Sequence, residues 1–277
     1  AREEAETGFD LSRGPLLRVK VLVLGEDGYL LLFTMHHIVS DGWSMGILSR
    51  EVGELYGAYS RGESSPLVEL RIQYADFAVW QRSWLRGAVL ERELEYWRRQ
   101  LDGLSDLELP TDYPRRLERS FRGGRLRFVI DSETTRQLHR LGRAQAATLF
   151  MVLLGGFQVL MSRYSGQEDV ALGTDIANRN REEIEGLIGF FVNQLVLRIE
   201  LRGCESFRHQ LKRVQEMCLA AYAHQDVPFE KLVEELQPER DLGRTPLFQA
   251  KLVLQNAPRE GLKLEGVSLS SVDSEMQ

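Results

Sequence analysis

The sequence predicts an α/β fold in which short strands are interspersed with amphipathic helices. Three observations carry that expectation. Two apolar, β-branched runs at residues 16–24 and 29–35 flank the turn Gly25-Glu26-Asp27-Gly28, which is the pattern of a hairpin. From residue 42 to 101 the apolar residues instead recur at helical spacing. Beyond residue 124, strand-like and helix-like stretches alternate, which points to helices layered on sheet.

The elements follow in order. After the hairpin, Ile47, Leu48, Val52, Leu55, Tyr56 and Tyr59 form one apolar stripe, with Asp41 or Ser44 as N-cap and Gly62 past the end. Helices are expected over 72–85 and 89–101, the second with Leu90, Leu94, Trp97 and Leu101 on one face. Tyr74, Phe77, Trp80 and Trp84 share a helical spacing that suits core packing. Periodicity lapses from 103 to 124, where Pro110, Pro114, Gly123 and Gly124 punctuate a polar stretch. This divides the chain into a first lobe at 1–110, a linker at 111–124 and a second lobe at 125–277. The second lobe reads as strand 126–130, helix 132–143, apolar helix 148–164 and strand 170–173. An Arg/Asn/Glu-rich loop, strand 194–201, helix 206–223, a short helix opened by Pro228 and strand 248–255 complete it.

Composition narrows the function classes. The 277 residues, 43% hydrophobic and 27% charged, are enough for one large domain or two lobes of an ordinary soluble protein. A net charge of -6 argues against a general nucleic-acid binder. No apolar run is long enough for a membrane span. Cys204 and Cys218 lack CxxC spacing and read as reduced thiols, so a cytoplasmic setting is expected. No GxSxG nucleophile motif and no phosphate loop is present, and Gly155-Gly156 suits close helix packing. The chain opens at Ala1 near a turn over residues 7–10 and stops at Gln277, which reads as a piece cut from something longer.

The chemistry concentrates in Met35-His36-His37-Ile38-Val39-Ser40-Asp41-Gly42-Trp43-Ser44, at a change from strand to helix. A strand end aims a side chain while the following loop leaves it accessible. If the strand persists, alternation turns His36 and His37 to opposite faces, so they cannot share one task. An imidazole suits general-base work or orientation of an amine. Asp41 is either a base-orienter or the partner of an arginine. Gly42 would allow a turn with positive φ and the approach of a substrate. The bland alternative is a buried histidine, an N-cap aspartate and a turn glycine. A metal is disfavoured, because no further ligand lies at suitable spacing. His139 and His209 read as surface residues, and His224 as a helix-ending cation.

This stretch resembles the HHxxxDG signature of condensation domains of non-ribosomal peptide synthetases, and four further segments follow in the family's order. Residues 74–82 resemble its YxDFAxWQR segment, and 188–198 its IGFFVNTxVLR segment, with Gln194 in place of Thr. Residues 224–236 resemble HQDxPFEKLVEEL, and 240–256 resemble RDLSRTPLFQxxFVLQN, with Gly243 in place of Ser.

The resemblance implies two chloramphenicol-acetyltransferase-like lobes, both incomplete here, with the active site between them. It implies an acyltransferase that forms an amide bond between a donor thioester and the α-amine of an acceptor aminoacyl thioester. Both substrates would ride on 4'-phosphopantetheine arms of upstream and downstream peptidyl carrier protein domains. An adenylation domain would lie in the same synthetase, and the domain would have no cofactor of its own. The implied catalytic set is His37, His36, Asp41 and Gly42. Within it His37 deprotonates or positions the amine, His36 is support, Asp41 is held by Arg179 or by an earlier arginine, and Gly42 borders the donor channel. Trp43, Ser44, Arg179 and Asn193 would line the channel or support it. Asp175 stands where the family commonly has proline. The Ser-Asp-Gly-Trp-Ser form resembles the subtype that joins L-configured donors and acceptors. Alternatives are an epimerisation-type relative, a non-catalytic platform that recruits carrier proteins, and a stand-alone coenzyme A-dependent acyltransferase.

Overall fold

The computed structural model describes residues 2–25, 28–114, 123–203, 205–237, 244–255, 261–270 and 272. In chain order the elements are α1 (Arg2–Glu6), β1 (Leu17–Val23), β2 (Tyr29–Met35), a 3₁₀ turn (His37–Val39) and α2 (Gly42–Ser60). Next come α3 (Tyr74–Trp84), α4 (Gly87–Leu101), α5 (Ser132–Ala144), α6 (Leu149–Ser165) and β3 (Asp169–Ile176). The remainder are α7 (Glu182–Glu185), β4 (Asn193–Glu200), α8 (Phe207–Ala223) and α9 (Phe229–Leu236). Packing separates two units. The first draws on Ala1–Gln81, Arg179–Val192 and Asn256–Gln277, and the second on Arg82–Asn178 and Asn193–Gln255.

In the first unit, β1 and β2 pair antiparallel from Leu17↔Met35 to Val23↔Tyr29. The acidic face of α1 ties it to this hairpin, because Arg18 Nε donates to Glu4 Oε1 at 2.6 Å and Lys20 pairs with the same carboxylate. The Arg18 guanidinium in turn lies 3.9 Å over the Phe9 ring. A small core joins Phe77 to Ile184, Leu187 and Phe191, with Ile72, Tyr74 and Trp80 against it. Residues 179–192 therefore belong by packing to a region more than 100 positions earlier in the sequence.

In the second unit, β3 and β4 pair antiparallel from Asp169↔Glu200 to Ile176↔Asn193. The middle of each strand is buried on both faces, and Leu172 and Leu197 are fully buried. Burying each such leucine contributes about 1.5–3 kcal/mol. Trp97, 1% exposed, anchors α4 to this core, and its indole N–H donates to the His224 carbonyl at 2.9 Å. Gly155 lets α6 approach Phe207 and Val214 of α8.

Three sequence expectations need correction. Residues 126–130 form no strand, and Leu126, Phe128 and Val129 are 79–92% exposed. No chain among the described residues pairs with them. Of 248–255 only Lys251 bridges, parallel to Gly173, because Phe248 crosses the strand where Gly173 has no side chain; a Cβ there would lie 2.4 Å from the ring. The second strand ends at Met35, so strand alternation is not what separates His36 from His37. Residues 2–6 form a helix that the sequence pattern does not announce. The expected linker follows α4, which inserts Leu94, Trp97 and Leu101 into the core of the second unit. Its residues 115–122 lie outside the described residues, as does Cys204. No single helix among the described residues is long and apolar enough to cross a membrane.

Candidate active site

The strand that leads to the histidines stops at Met35, and the His36 side chain then caps a tight turn. His36 sits in extended conformation, and its Nδ1 accepts the backbone N–H of Ile38 at 3.1 Å. A ring nitrogen that accepts an N–H carries a lone pair, so neutral His36 has its proton on Nε2. His37 opens the turn, and its Nδ1 lies 2.7 Å from the Ser40 carbonyl oxygen. A carbonyl can only accept, so Nδ1 of His37 holds the proton and Nε2 keeps the lone pair. Adjacent histidines are thus fixed in opposite tautomers by local backbone groups. The His37 ring stands edge-on to Phe190, with centroids 5.2 Å apart, and the residue is exposed. Among the described residues Nε2 of His37 has no hydrogen-bond partner.

Asp41 does not orient His37. It is the N-cap of α2 and is 5% exposed. Its Oδ1 accepts from the Ser44 backbone N–H at 2.8 Å and from Arg179 Nη2 at 3.2 Å, while Oδ2 accepts from the Phe191 N–H at 3.0 Å. Arg179 Nη1 donates to the carbonyls of Ile184 and Leu187 at 2.6 and 2.8 Å, and its guanidinium lies 4.1 Å over the Phe191 ring. Burial holds the Arg179 pKa below the usual arginine range, with the Asp41 charge opposing that shift. Ser44 Oγ completes the group. It accepts from Arg179 Nη2 at 2.9 Å and from the Gly189 N–H at 3.1 Å, and its one proton faces Asp41 Oδ1 and the Gly189 carbonyl. Two more side chains fasten the same loop. Trp43 Nε1 donates to the Glu185 carbonyl, and the Tyr74 hydroxyl to the Phe190 carbonyl, both at 2.9 Å. Burial, and then the Asp41 charge, raise the Tyr74 pKa.

Gly42 is the first residue of α2 and does not take a positive φ, which corrects the expectation of a left-handed turn. A Cβ there would meet nothing within 4 Å. Gly189 is the crowded glycine: a Cβ would fall 2.3 Å from the Tyr74 ring. Asn193 lies in the second unit, where its side chain binds backbone groups. Its amide donates to the Gln225 and Val227 carbonyls at 2.8 Å, and its Oδ1 accepts the Phe229 N–H at 3.0 Å. It thereby pins the segment before α9 to β4. Asp175 pairs with Lys251 at 2.9 Å. His224 ends α8, stacks on Tyr96 and faces Glu93 Oε2 at 2.8 Å, while His139 and His209 are exposed. Sequence reasoning misses Phe190 and the Ser40 carbonyl. The first lies in the 188–198 segment beside Asn193, so the segment is a signal but the residue is not singled out. A backbone acceptor leaves no trace in residue type. Among the described residues no cluster of His, Cys, Asp or Glu could hold a metal.

A histidine presented on a capped turn, with its aspartate turned away into a buried arginine clamp, is not the arrangement of a nucleophile triad. The whole chain, residues 1–277, matches the condensation domain family model, and the chain belongs to that family. It is 51% identical over 269 residues to one of the linear gramicidin synthase proteins of Brevibacillus parabrevis, and 48% identical over 272 residues to malpinin synthetase of Mortierella alpina. Those matches cover 97% and 98% of this chain but only 5% and 4% of the relatives. Among solved structures, the X-domain from teicoplanin biosynthesis superposes with a TM-score of 0.83 at 28% identity, covering 90% of this chain and 57% of the other. A four-domain nonribosomal peptide synthetase bound to AMP and glycine gives 0.81 at 27% identity, covering 91% and 19%. The fold is the chloramphenicol-acetyltransferase-like α/β fold of condensation domains.

Proposed function

We propose that this chain forms amide bonds between two thioester-bound substrates, the α-amine of one attacking the acyl carbon of the other. The observation that carries the reading is the Nε2 of His37, unpaired among the described residues and held as an acceptor by the Ser40 carbonyl on Nδ1. Nε2 accepts a hydrogen bond from the attacking amine and takes its proton as the C–N bond forms. The thioester C–S bond then breaks, and the proton passes to the departing thiolate. Orientation of the amine and removal of its proton use the same lone pair. Gly42, with open space where a side chain would be, gives the acyl donor room beside the helix start. Trp43, Ser44 and Arg179 act by holding residues 184–191, which include Phe190 beside the imidazole.

The substrates are carried on phosphopantetheine arms of an upstream donor and a downstream acceptor carrier domain, with an adenylation domain in the same synthetase. The Ser-Asp-Gly-Trp-Ser form supports L-configured substrates on both sides. The division into lobes at 1–110 and 125–277 rests on the lapse of periodicity over 103–124 and agrees with the two lobes that the family resemblance implies. The reading is tested in the intact synthetase with both carriers loaded. His37→Ala removes the dipeptidyl product, a loss of about 10²–10⁴ in rate for one positioned base, while thermal unfolding stays unchanged. Undiminished product overturns the assignment.

A further inference from the structure

We infer that Phe190 is a positioning residue for His37, its ring fixing the plane in which the imidazole lies. The inference rests on the proposed role of His37 and adds what aims its Nε2. One hydrogen bond, from Nδ1–H to the Ser40 carbonyl, holds a single point of an exposed ring. The ring can still swing about that bond, and the Nε2 lone pair swings with it. Proton transfer needs the lone pair directed at the amine, so a second contact has to fix the plane. Phe190 supplies it, with ring centroids 5.2 Å apart and planes at 89°. This is the edge-on geometry that aromatic pairs favour.

The segment around Phe190 presents that ring on a held backbone. Phe191, 2% exposed, packs on Tyr74 and Phe77 in the small core of the first unit. Phe190, half-buried, instead lies against His37. Side chains from the start of α2 and of α3 fasten the backbone on both sides of it. The Gly189 N–H donates to Ser44 Oγ at 3.1 Å, and the Phe191 N–H donates to Asp41 Oδ2 at 3.0 Å. Between them the Phe190 carbonyl accepts the Tyr74 hydroxyl at 2.9 Å. An apolar ring on a fixed backbone, set against an imidazole rather than in the core, contributes direction more than stability.

The test replaces this side chain with and without a ring. Phe190→Leu keeps apolar bulk and loses the aromatic edge, whereas Phe190→Tyr keeps the ring. Both are made in the intact synthetase for kinetics with loaded carriers, and in the 277-residue chain for NMR of isotope-labelled histidine. Phe190→Leu should lower kcat about fivefold to tenfold with KM little changed, the scale of one lost aromatic pair. In the same variant the His37 ring signals should shift, and the Nδ1-protonated form should mix with the other tautomer. Phe190→Tyr should keep the His37 tautomer and retain turnover within about twofold. Both variants should keep the wild-type unfolding temperature. Wild-type His37 signals in Phe190→Leu overturn the inference. So does a loss confined to KM, which would set the ring against substrate, or a tyrosine variant as impaired as the leucine one. A lowered unfolding temperature in Phe190→Leu would assign the ring to the core and overturns it as well. The histidine signals are read without turnover, so they stand apart from the test of His37 as the base.

Discussion

Arg179 and Asp41, 138 positions apart in the chain, meet as a buried ion pair with Nη2 3.2 Å from Oδ1 and side chains only 1% and 4% exposed. The pair joins the start of α2 to the loop that carries Phe190. Buried pairs cost desolvation, which this one offsets with hydrogen bonds on both partners. Its effect is to fix one arrangement of the loop beside His37.

Breaking this pair from one side leaves an uncompensated buried charge. Asp41→Asn should lower unfolding free energy by about 3–5 kcal/mol, measured by urea denaturation. Asp41→Asn combined with Arg179→Met should cost less than the sum of the two single changes. Additive losses would show that the two side chains do not act as a pair.

The two glycines of the site should respond in opposite ways. Gly189→Ala drives a methyl into the Tyr74 ring and should destabilise by about 1–3 kcal/mol. Gly42→Ala points into open space and should leave stability within about 0.5 kcal/mol of the wild type, yet lower kcat/KM if a donor passes there. Equal effects of both changes on the unfolding midpoint would contradict this packing.

Acid should loosen α1 from the hairpin. The hydrogen bonds from Lys20 and Arg18 hold the Glu4 carboxyl at about 2, below its ordinary 4.5. A depressed carboxyl contributes stability that is fully present above pH 4.5 and is lost as pH falls toward 2. The difference in denaturation midpoint between wild type and Glu4→Gln should therefore shrink across that window. A difference that stays constant would rule out this role for Glu4.

Cys218 should be chemically silent in the folded chain. Burial pushes its thiol up to about 12, against a weaker opposing hydrogen bond with Tyr222. In a Cys204→Ser background, a disulfide reagent near neutral pH should label Cys218 only after denaturation. Labelling at the rate of an exposed thiol would refute its burial.

Much of this architecture is legible in local patterns. The hairpin follows from its two apolar runs, and the helices over 42–60, 87–101 and 207–223 from their apolar stripes and their caps. Residues 126–130 have the composition of a strand, but a strand exists only with a partner, and partner pairing is not a local property. The 3₁₀ turn has no such pattern, because histidine is not among the residues that usually mark a cap. The 138-residue reach of Arg179 to Asp41 is legible only as a candidate pairing, since charge complementarity alone names no geometry. Phe190 and the Ser40 carbonyl gain meaning only once the chain is folded around His37.

The most direct test of the central claim is the tautomer of His37 in the unmodified chain, read by nitrogen NMR of isotope-labelled histidine at a pH where the ring is neutral. The expected result is a proton on Nδ1 and a lone pair on Nε2, with His36 in the opposite form. A His37 protonated on Nε2 would remove the acceptor from the exposed nitrogen and contradict its proposed role toward the attacking amine.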